Sequence, residues 1–198
     1  MRTGTENKII LKLIRHGKTP ANEVGRYIGC TDEALSESGI EELKNLYPEL
    51  LKADMVFSSP MKRCIQTAKQ IYGDIDPVII DEWREMDFGS FEMKNYEELN
   101  GDPEYQAWID SGGEIAFPGG EDRKTFVKRT VKGFDVFLEK CISENIKNAA
   151  AAVHSGTIMA LMNYFTGKDY FSFHVQNGCG YEIVFRVVNG KAEIESVK

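Results

Sequence analysis

Several features that mark whole classes of protein are scarce in this sequence. Only four cysteines occur in 198 residues, Cys30, Cys64, Cys141 and Cys179, and no two form a Cys-x-x-Cys pair. A zinc ribbon or a thioredoxin-like redox motif needs that spacing, so neither is read. Four reduced thiols are expected instead. No apolar run reaches the roughly 18 residues that would span a bilayer. The stretch Met1–Lys8 has no apolar h-region, so no signal peptide is read and a cytoplasmic location is expected. Residues 1–7 are polar and expected to fray. Internal repeats, low-complexity tracts and linkers are missing too, which points to a single domain over residues 1–198. Basic charge is in the minority, 24 Lys and Arg against 31 Asp and Glu, for a net charge of −7. That balance argues against nucleic-acid or anionic-membrane partners, which need a basic face. It leaves open a small anionic metabolite bound by local charge in a cleft. No ligand spacing suggests a metal, and no other cofactor is expected. The pattern does not specify oligomeric state, and a homodimer is compatible with it.

The composition, 42% hydrophobic and 28% charged, is that of a globular protein. A chain of this length buries about 70% of its unfolded surface. Ile9 to Ile14 reads as a buried strand. Residues 17–32 are irregular, broken by Pro20, Gly25 and Gly29. A helix is expected from Ser36 or Ser38, with Ser38-x-x-Glu41 as a capping box and Ile40, Leu43, Leu46, Leu50 and Leu51 on one face. Asp54–Phe57 predicts a second strand. Ser58-Ser-Pro60 predicts the cap and first turn of a helix that carries Arg63 near its start. Pro77–Ile80 predicts a third strand, followed by Glu85. Residues 86–120 read as an excursion with short helical pieces at Tyr96–Leu99 and Pro103–Ile109. A long amphipathic helix follows, with Phe126, Thr130, Phe134, Phe137 and Leu138 inward. Ala149–Val153 is a fourth strand ending in His154, and a helix runs on from Ser155-Gly156 to Phe165. Tyr181–Val188 and Ala192–Val197, joined by Asn189-Gly190, predict a hairpin. Strands alternating with helices imply an α/β fold: a mostly parallel central sheet with helices on both faces.

In such a sheet, ligands bind beyond the carboxyl ends of the strands. Arg15 and His16 end the first strand, Arg63 follows the second, Glu85 the third, and His154 ends the fourth. Packing alone gives no reason for two histidines and an arginine to finish apolar runs. These residue types suit phosphoryl transfer. A guanidinium fork binds two phosphate oxygens at once. Helix N-termini add N–H groups and a favourable dipole end. A neutral imidazole, here His16, can attack phosphorus and form a covalent intermediate. Glu85 is the candidate acid for the leaving oxygen, with Glu82 as its rival. His154 would stabilise charge during transfer. Trp108 is a candidate wall for the substrate. His174 carries no motif and is read as structural or superficial.

Leu13-Ile-Arg-His-Gly-Lys-Thr19, Ser58-Ser-Pro-Met-Lys-Arg-Cys-Ile-Gln-Thr-Ala68, Arg84-Glu-Met-Asp-Phe-Gly89 and Val153-His-Ser-Gly156 together resemble the motifs of the histidine phosphatase superfamily, the group containing cofactor-dependent phosphoglycerate mutase. The resemblance covers nearly the whole chain. It implies a phosphoglycerate mutase-like fold, a phosphohistidine intermediate on His16, and a small phosphorylated metabolite as substrate. It also implies that Asn22 helps hold the phosphate, and that Tyr27, Ile28, Gly29 and Cys30 belong to a substrate-side loop beside Ser155 and Gly156. Three positions depart from the family pattern. Lys18 replaces the commoner glutamate, Ser155 stands where glycine is usual, and Met93 stands where glycine often follows an aromatic-Glu pair. The mutases of the family carry a longer insertion after the acid, with paired arginines and a proline run. Asp102–Trp108 and Phe117–Asp122 take its place here, which favours a phosphatase. The pattern is most similar to the α-ribazole phosphatases of cobalamin nucleotide-loop assembly and their broad-specificity relatives. A mutase, or a silent phospho-ligand module on the same fold, is the alternative.

Overall fold

The computed structural model describes residues 7–198. Strands Asn7–Arg15 (β1), Met55–Ser58 (β2), Val78–Ile79 (β3), Asn148–Val153 (β4), Gly180–Val188 (β5) and Lys191–Val197 (β6) form one sheet in the order β3-β2-β4-β1-β5-β6. The first four in that order are parallel. β5 runs antiparallel to β1, and β6 runs antiparallel to β5. The expected hairpin is therefore the antiparallel edge of a mixed sheet. Its turn residues Asn189 and Gly190 have φ of 51° and 76°, the pair of positive values that a two-residue type I′ turn requires. β1 already begins at Asn7; the rest of the segment expected to fray lies outside the described residues.

Side-chain alternation sets the two faces. Leu11, Leu13, Phe57, Ala149, Ala151 and Val153 point into the larger core with Phe134, Phe137, Leu138, Ile158 and Leu161. Those partners come from the helices Arg123–Ser143 (α6) and Ser155–Thr166 (α7). On the opposite face, Ile14 packs with Leu43 and Ile71, and Ala152 packs with Cys64 and Ala68. Those partners come from Glu37–Leu46 (α2) and Lys62–Tyr72 (α3). β4 lies between β2 and β1 and is almost entirely alanine, so helices on both faces approach the sheet closely. Every strand of the parallel set therefore opens its carboxyl end toward one edge.

Four local expectations are corrected. The cap of α2 is Ser36, whose side chain accepts from Gly39 N; the Ser38–Glu41 box does not form. The same helix stops at Leu46 instead of running to Leu51, because Pro48 disfavours helical backbone at Tyr47, which sits at φ −128°, ψ 71°. α3 starts at Lys62 with no side-chain cap, two residues beyond Pro60, so the Ser58-Ser59 hydroxyls are not used as predicted. The nominally irregular 17–32 stretch also holds a four-residue helix, Pro20–Glu23 (α1), capped by Thr19.

The excursion carries Tyr96–Leu99 (α4) and Pro103–Asp110 (α5), close to expectation. Met86, Phe91, Leu99, Tyr105 and Phe117 pack there with Phe126 and Tyr170 as a second core. Trp83 links this region to the main core. It is fully buried, with ring contacts to Phe57 and Phe137, and its indole N–H donates to Thr130 O at 3.2 Å. Trp83→Ala should cost about 3–5 kcal/mol of unfolding free energy, read by denaturant titration. A loss below about 1 kcal/mol would show that the site collapses freely.

Candidate active site

Arg15 is the last residue of β1, and His16 N donates to Val153 O at 2.9 Å, which fixes the imidazole at the sheet edge. The ring is 3% exposed. Its Nδ1 lies 2.7 Å from Gly17 O. A carbonyl can only accept, so Nδ1 carries the proton and the Nε2 lone pair is free. Burial, then the charges of Arg63 and Arg15, hold this imidazole well below its ordinary pKa of 6.5. It is a neutral imidazole with a lone pair to offer.

His154 caps α7 and is fully buried. Its ring centroid is 5.3 Å from that of His16. Nε2 hydrogen-bonds to Ser59 Oγ at 2.8 Å. Burial, then Arg63, holds it neutral as well. Arg63 is also fully buried. Its two terminal nitrogens donate to Thr31 O and Gly29 O at 2.7 and 2.8 Å. The N–H groups of the same loop, at Gly29 and Thr31, donate to Glu92. Arg15 Nη1 donates to Val175 O at 2.7 Å.

Glu85 is 8% exposed. Met86 N and Gly156 N donate to its two carboxyl oxygens at 2.9 and 3.3 Å. Burial outweighs these donors and the nearby arginines, so its pKa is raised above the ordinary 4.5. Gly156 has to be glycine for this contact: a Cβ there would lie 2.2 Å from Glu85 Oε1. The rival Glu82 lies elsewhere, paired with Lys132 at 2.9 Å in a separate surface depression, and that contact holds its carboxyl low.

A cleft of about 260 Å³ opens onto these groups. Of the residues singled out in the sequence, Arg15, His16, Asn22, Tyr27, Ile28, Glu85, Trp108, Ser155 and Gly156 line it. Arg63 and His154 lie buried behind it. Gly29 and Cys30 line an adjoining depression that shares Glu85 with the cleft and also holds Asp87 and Glu121, and Arg63 and Glu92 hold their loop by its backbone. The Cys30 thiol is pushed up to about 11 by burial and then by Asp87 and Glu92, so it is no thiolate at neutral pH. His174, read as structural or superficial, is exposed at the surface and also lines the cleft with Arg15.

Four contributors carried no sequence signal of their role. Ser59 supports His154, although its hydroxyl read as a helix cap. Asn177 donates to His16 O at 2.9 Å and to Asn22 Oδ1 at 3.3 Å. Thr67 Oγ1 accepts from Gly17 N. Arg129 donates to the backbone oxygens of Glu82, Arg84 and Glu85, and its partner Glu121 lies 2.7 Å away. Met93, where glycine is usual in the resembled family, sits at φ 61°, a conformation that favours glycine. Its N–H and carbonyl are held by Tyr27 and Arg26.

A neutral imidazole held down by two nearby guanidinium groups, sharing a cleft with a carboxyl whose pKa burial raises, at the carboxyl edge of a parallel sheet, marks an α/β enzyme suited to phosphoryl transfer. The chain belongs to the histidine phosphatase superfamily (branch 1), whose profile matches residues 11–196. An adenosylcobalamin/alpha-ribazole phosphatase from Escherichia coli is 32% identical over 92% of this chain and 96% of its own. Phosphoserine phosphatase 1 from Hydrogenobacter thermophilus is 37% identical over 88% and 85%. The crystal structure of an alpha-ribazole phosphatase from Shigella flexneri superposes with a TM-score of 0.79 at 28% identity, covering 96% of each chain. Relatives named as 2,3-bisphosphoglycerate-dependent phosphoglycerate mutases match over 77% to 80% of this chain. Among the described residues, no helix is long and apolar enough to cross a membrane.

Proposed function

We propose that this protein hydrolyses phosphomonoesters by two phosphoryl transfers through His16, with no metal required by the scheme. The observation that carries the reading is the Nδ1–H donation to Gly17 O, which leaves a neutral Nε2 lone pair among cationic groups. Nε2 attacks phosphorus, the bond to the alcohol oxygen breaks, and Glu85 gives that oxygen its proton. The phosphohistidine is then attacked by water, whose proton returns to the Glu85 carboxylate. Phosphate leaves and His16 is neutral again. Arg15, Arg63, Asn22 and His154 neutralise and orient the phosphoryl oxygens throughout. α-Ribazole 5′-phosphate is the first substrate to assay, because the Escherichia coli and Shigella relatives bear that name. The reading treats residues 1–198 as one cytoplasmic domain.

The test is to trap the intermediate. A brief reaction with a labelled aryl phosphate, quenched in base, should leave acid-labile, base-stable phosphate on the peptide containing His16. Turnover with no phosphate on that peptide, or phosphate on another residue, would overturn the mechanism.

Ser155 belongs to the same proposal. It is the first residue of α7 and lines the cleft, and its hydroxyl is buried without a partner among the described residues. An unmade buried hydrogen bond is unfavourable, and a phosphoryl oxygen would complete it. Ser155→Ala should lower kcat/KM about 10-fold, while the melting temperature holds or rises. Unchanged kcat/KM would remove Ser155 from the site.

A further inference from the structure

The alcohol side of the cleft is aromatic and, among the described residues, offers no spare cation. Tyr27, Phe88, Trp108, Phe117, Met159 and Phe171 line it. The rings of Trp108 and Phe117 stack at 4.9 Å, Phe117 meets Phe88 at 5.0 Å, and Phe88 meets Tyr27 at 5.4 Å. That is one continuous wall. The Tyr27 hydroxyl hydrogen-bonds to that of Tyr105 at 2.9 Å, and the buried Trp108 N–H has no acceptor among the described residues.

Among the described residues, four basic side chains line the cleft: Arg15, His16, Arg26 and His174. The first two serve the phosphoryl end. Arg26 is already committed. One nitrogen lies 2.8 Å from Glu98, and another donates to Met93 O. His174 is held below its ordinary pKa by burial and then by Arg15, so it is uncharged at neutral pH. A substrate carboxylate would lose water, face Glu85, and find no unpaired positive group to replace its hydration. A flat apolar group would displace water from rings.

We infer that this site takes phosphomonoesters whose alcohol carries a flat, uncharged, apolar ring system, and discriminates against small phosphomonoesters that carry a carboxylate. The inference rests on the phosphomonoesterase reading and deepens it. It separates this chain from relatives whose names specify phosphoserine or phosphoglycerate, both carboxylated. The cleft, at about 260 Å³, falls just below the roughly 300–1,000 Å³ usual for ligand pockets, which suits one ring system beside one phosphate.

The test uses alkyl phosphates only, so that leaving-group acidity does not decide the result. Binding of 2-(2-naphthyl)ethyl phosphate, O-phosphoserine and 3-phosphoglycerate to the full-length His16→Ala protein is measured by calorimetry, and kcat/KM for each is measured on the unmodified enzyme. The naphthyl ester should be favoured at least about 10-fold in both. Glu98→Gln keeps an acceptor for Asn95 N at the cap of α4 but releases Arg26 from its ion pair. It should strengthen 3-phosphoglycerate binding several-fold. Trp108→Ala should narrow the ratio from the other side by weakening the naphthyl ester. Equal or tighter binding of the carboxylated esters to the His16→Ala protein, or ratios unchanged in both variants, would overturn the inference. If the naphthyl preference holds in binding while the unmodified enzyme hydrolyses no ester, the selectivity stands and the hydrolase reading fails.

Discussion

His16→Ala should lower turnover of a generic aryl phosphate by a factor on the order of 10⁵ or more, with the protein still folded. The size follows from what the imidazole does. Without it the covalent path is closed, and water must attack a phosphomonoester directly, among the slowest of uncatalysed reactions. The arginines and His154 would remain to bind phosphate, so KM should change far less than kcat. The fold should tolerate the change. Among the described residues the ring hydrogen-bonds to the adjacent Gly17 carbonyl alone, and it joins none of the apolar core clusters. Circular dichroism and a melting curve check the fold, and steady-state assay with chelator checks turnover. If the variant keeps turnover within 10-fold of the parent enzyme, His16 is not the nucleophile.

Glu85→Gln should divide substrates by their leaving group. An alkyl phosphate leaves as an alkoxide and needs a proton, so its hydrolysis should fall by about 10²–10⁴. A nitrophenyl phosphate leaves as a stable phenolate and should lose much less in the phosphorylation step. Equal losses on both would mean that the carboxyl is structural. The pH dependence carries a second signature. Productive attack needs neutral His16 and protonated Glu85. At ordinary pKa values of 6.5 and 4.5, the opposite protonation pattern would outnumber that pair about 100 to 1. The structure moves the two groups toward each other, His16 down and Glu85 up, both chiefly by burial. Phosphorylation of the enzyme should therefore fall as pH drops through a His16 pKa below 6.5, and fall again as pH rises through a Glu85 pKa above 4.5. In Glu85→Gln the second decline should vanish while the first persists. Rapid-quench measurement of phosphoenzyme across the acid-to-neutral range reads both limbs.

Some of the site was legible because it interrupts a pattern. Arg15-His16 and His154 end apolar runs that packing alone would have continued or closed with a turn residue, and Glu85 follows a short strand at the same edge. The roles of Ser59, Asn177 and Arg129 were not legible. Ser59 stands before a proline where a serine is a good cap, and its actual partner is His154, 95 residues away. Asn177 reaches His16 across 161 residues. Gly29 and Cys30 sit at the adjoining depression for a related reason. Whether a loop offers its residues to a cleft depends on which way its backbone is held, and Arg63 and Glu92 decide that from elsewhere in the chain.

The sequence by itself determined the α/β alternation, the strand ends that carry Arg15, His16 and His154, the excursion over residues 86–120, and the family. Each of these is written locally, in a period of apolar residues or in a short motif. Only the tertiary structure decided that Nδ1 of His16 is the protonated nitrogen, that Glu85 and not Glu82 lines the cleft with His16, that Gly156 makes room for its carboxyl, and that Arg26 is already paired. Those are consequences of burial and of distances between groups far apart in the chain. Desolvation and Coulomb interaction depend on position in space, which no local pattern encodes.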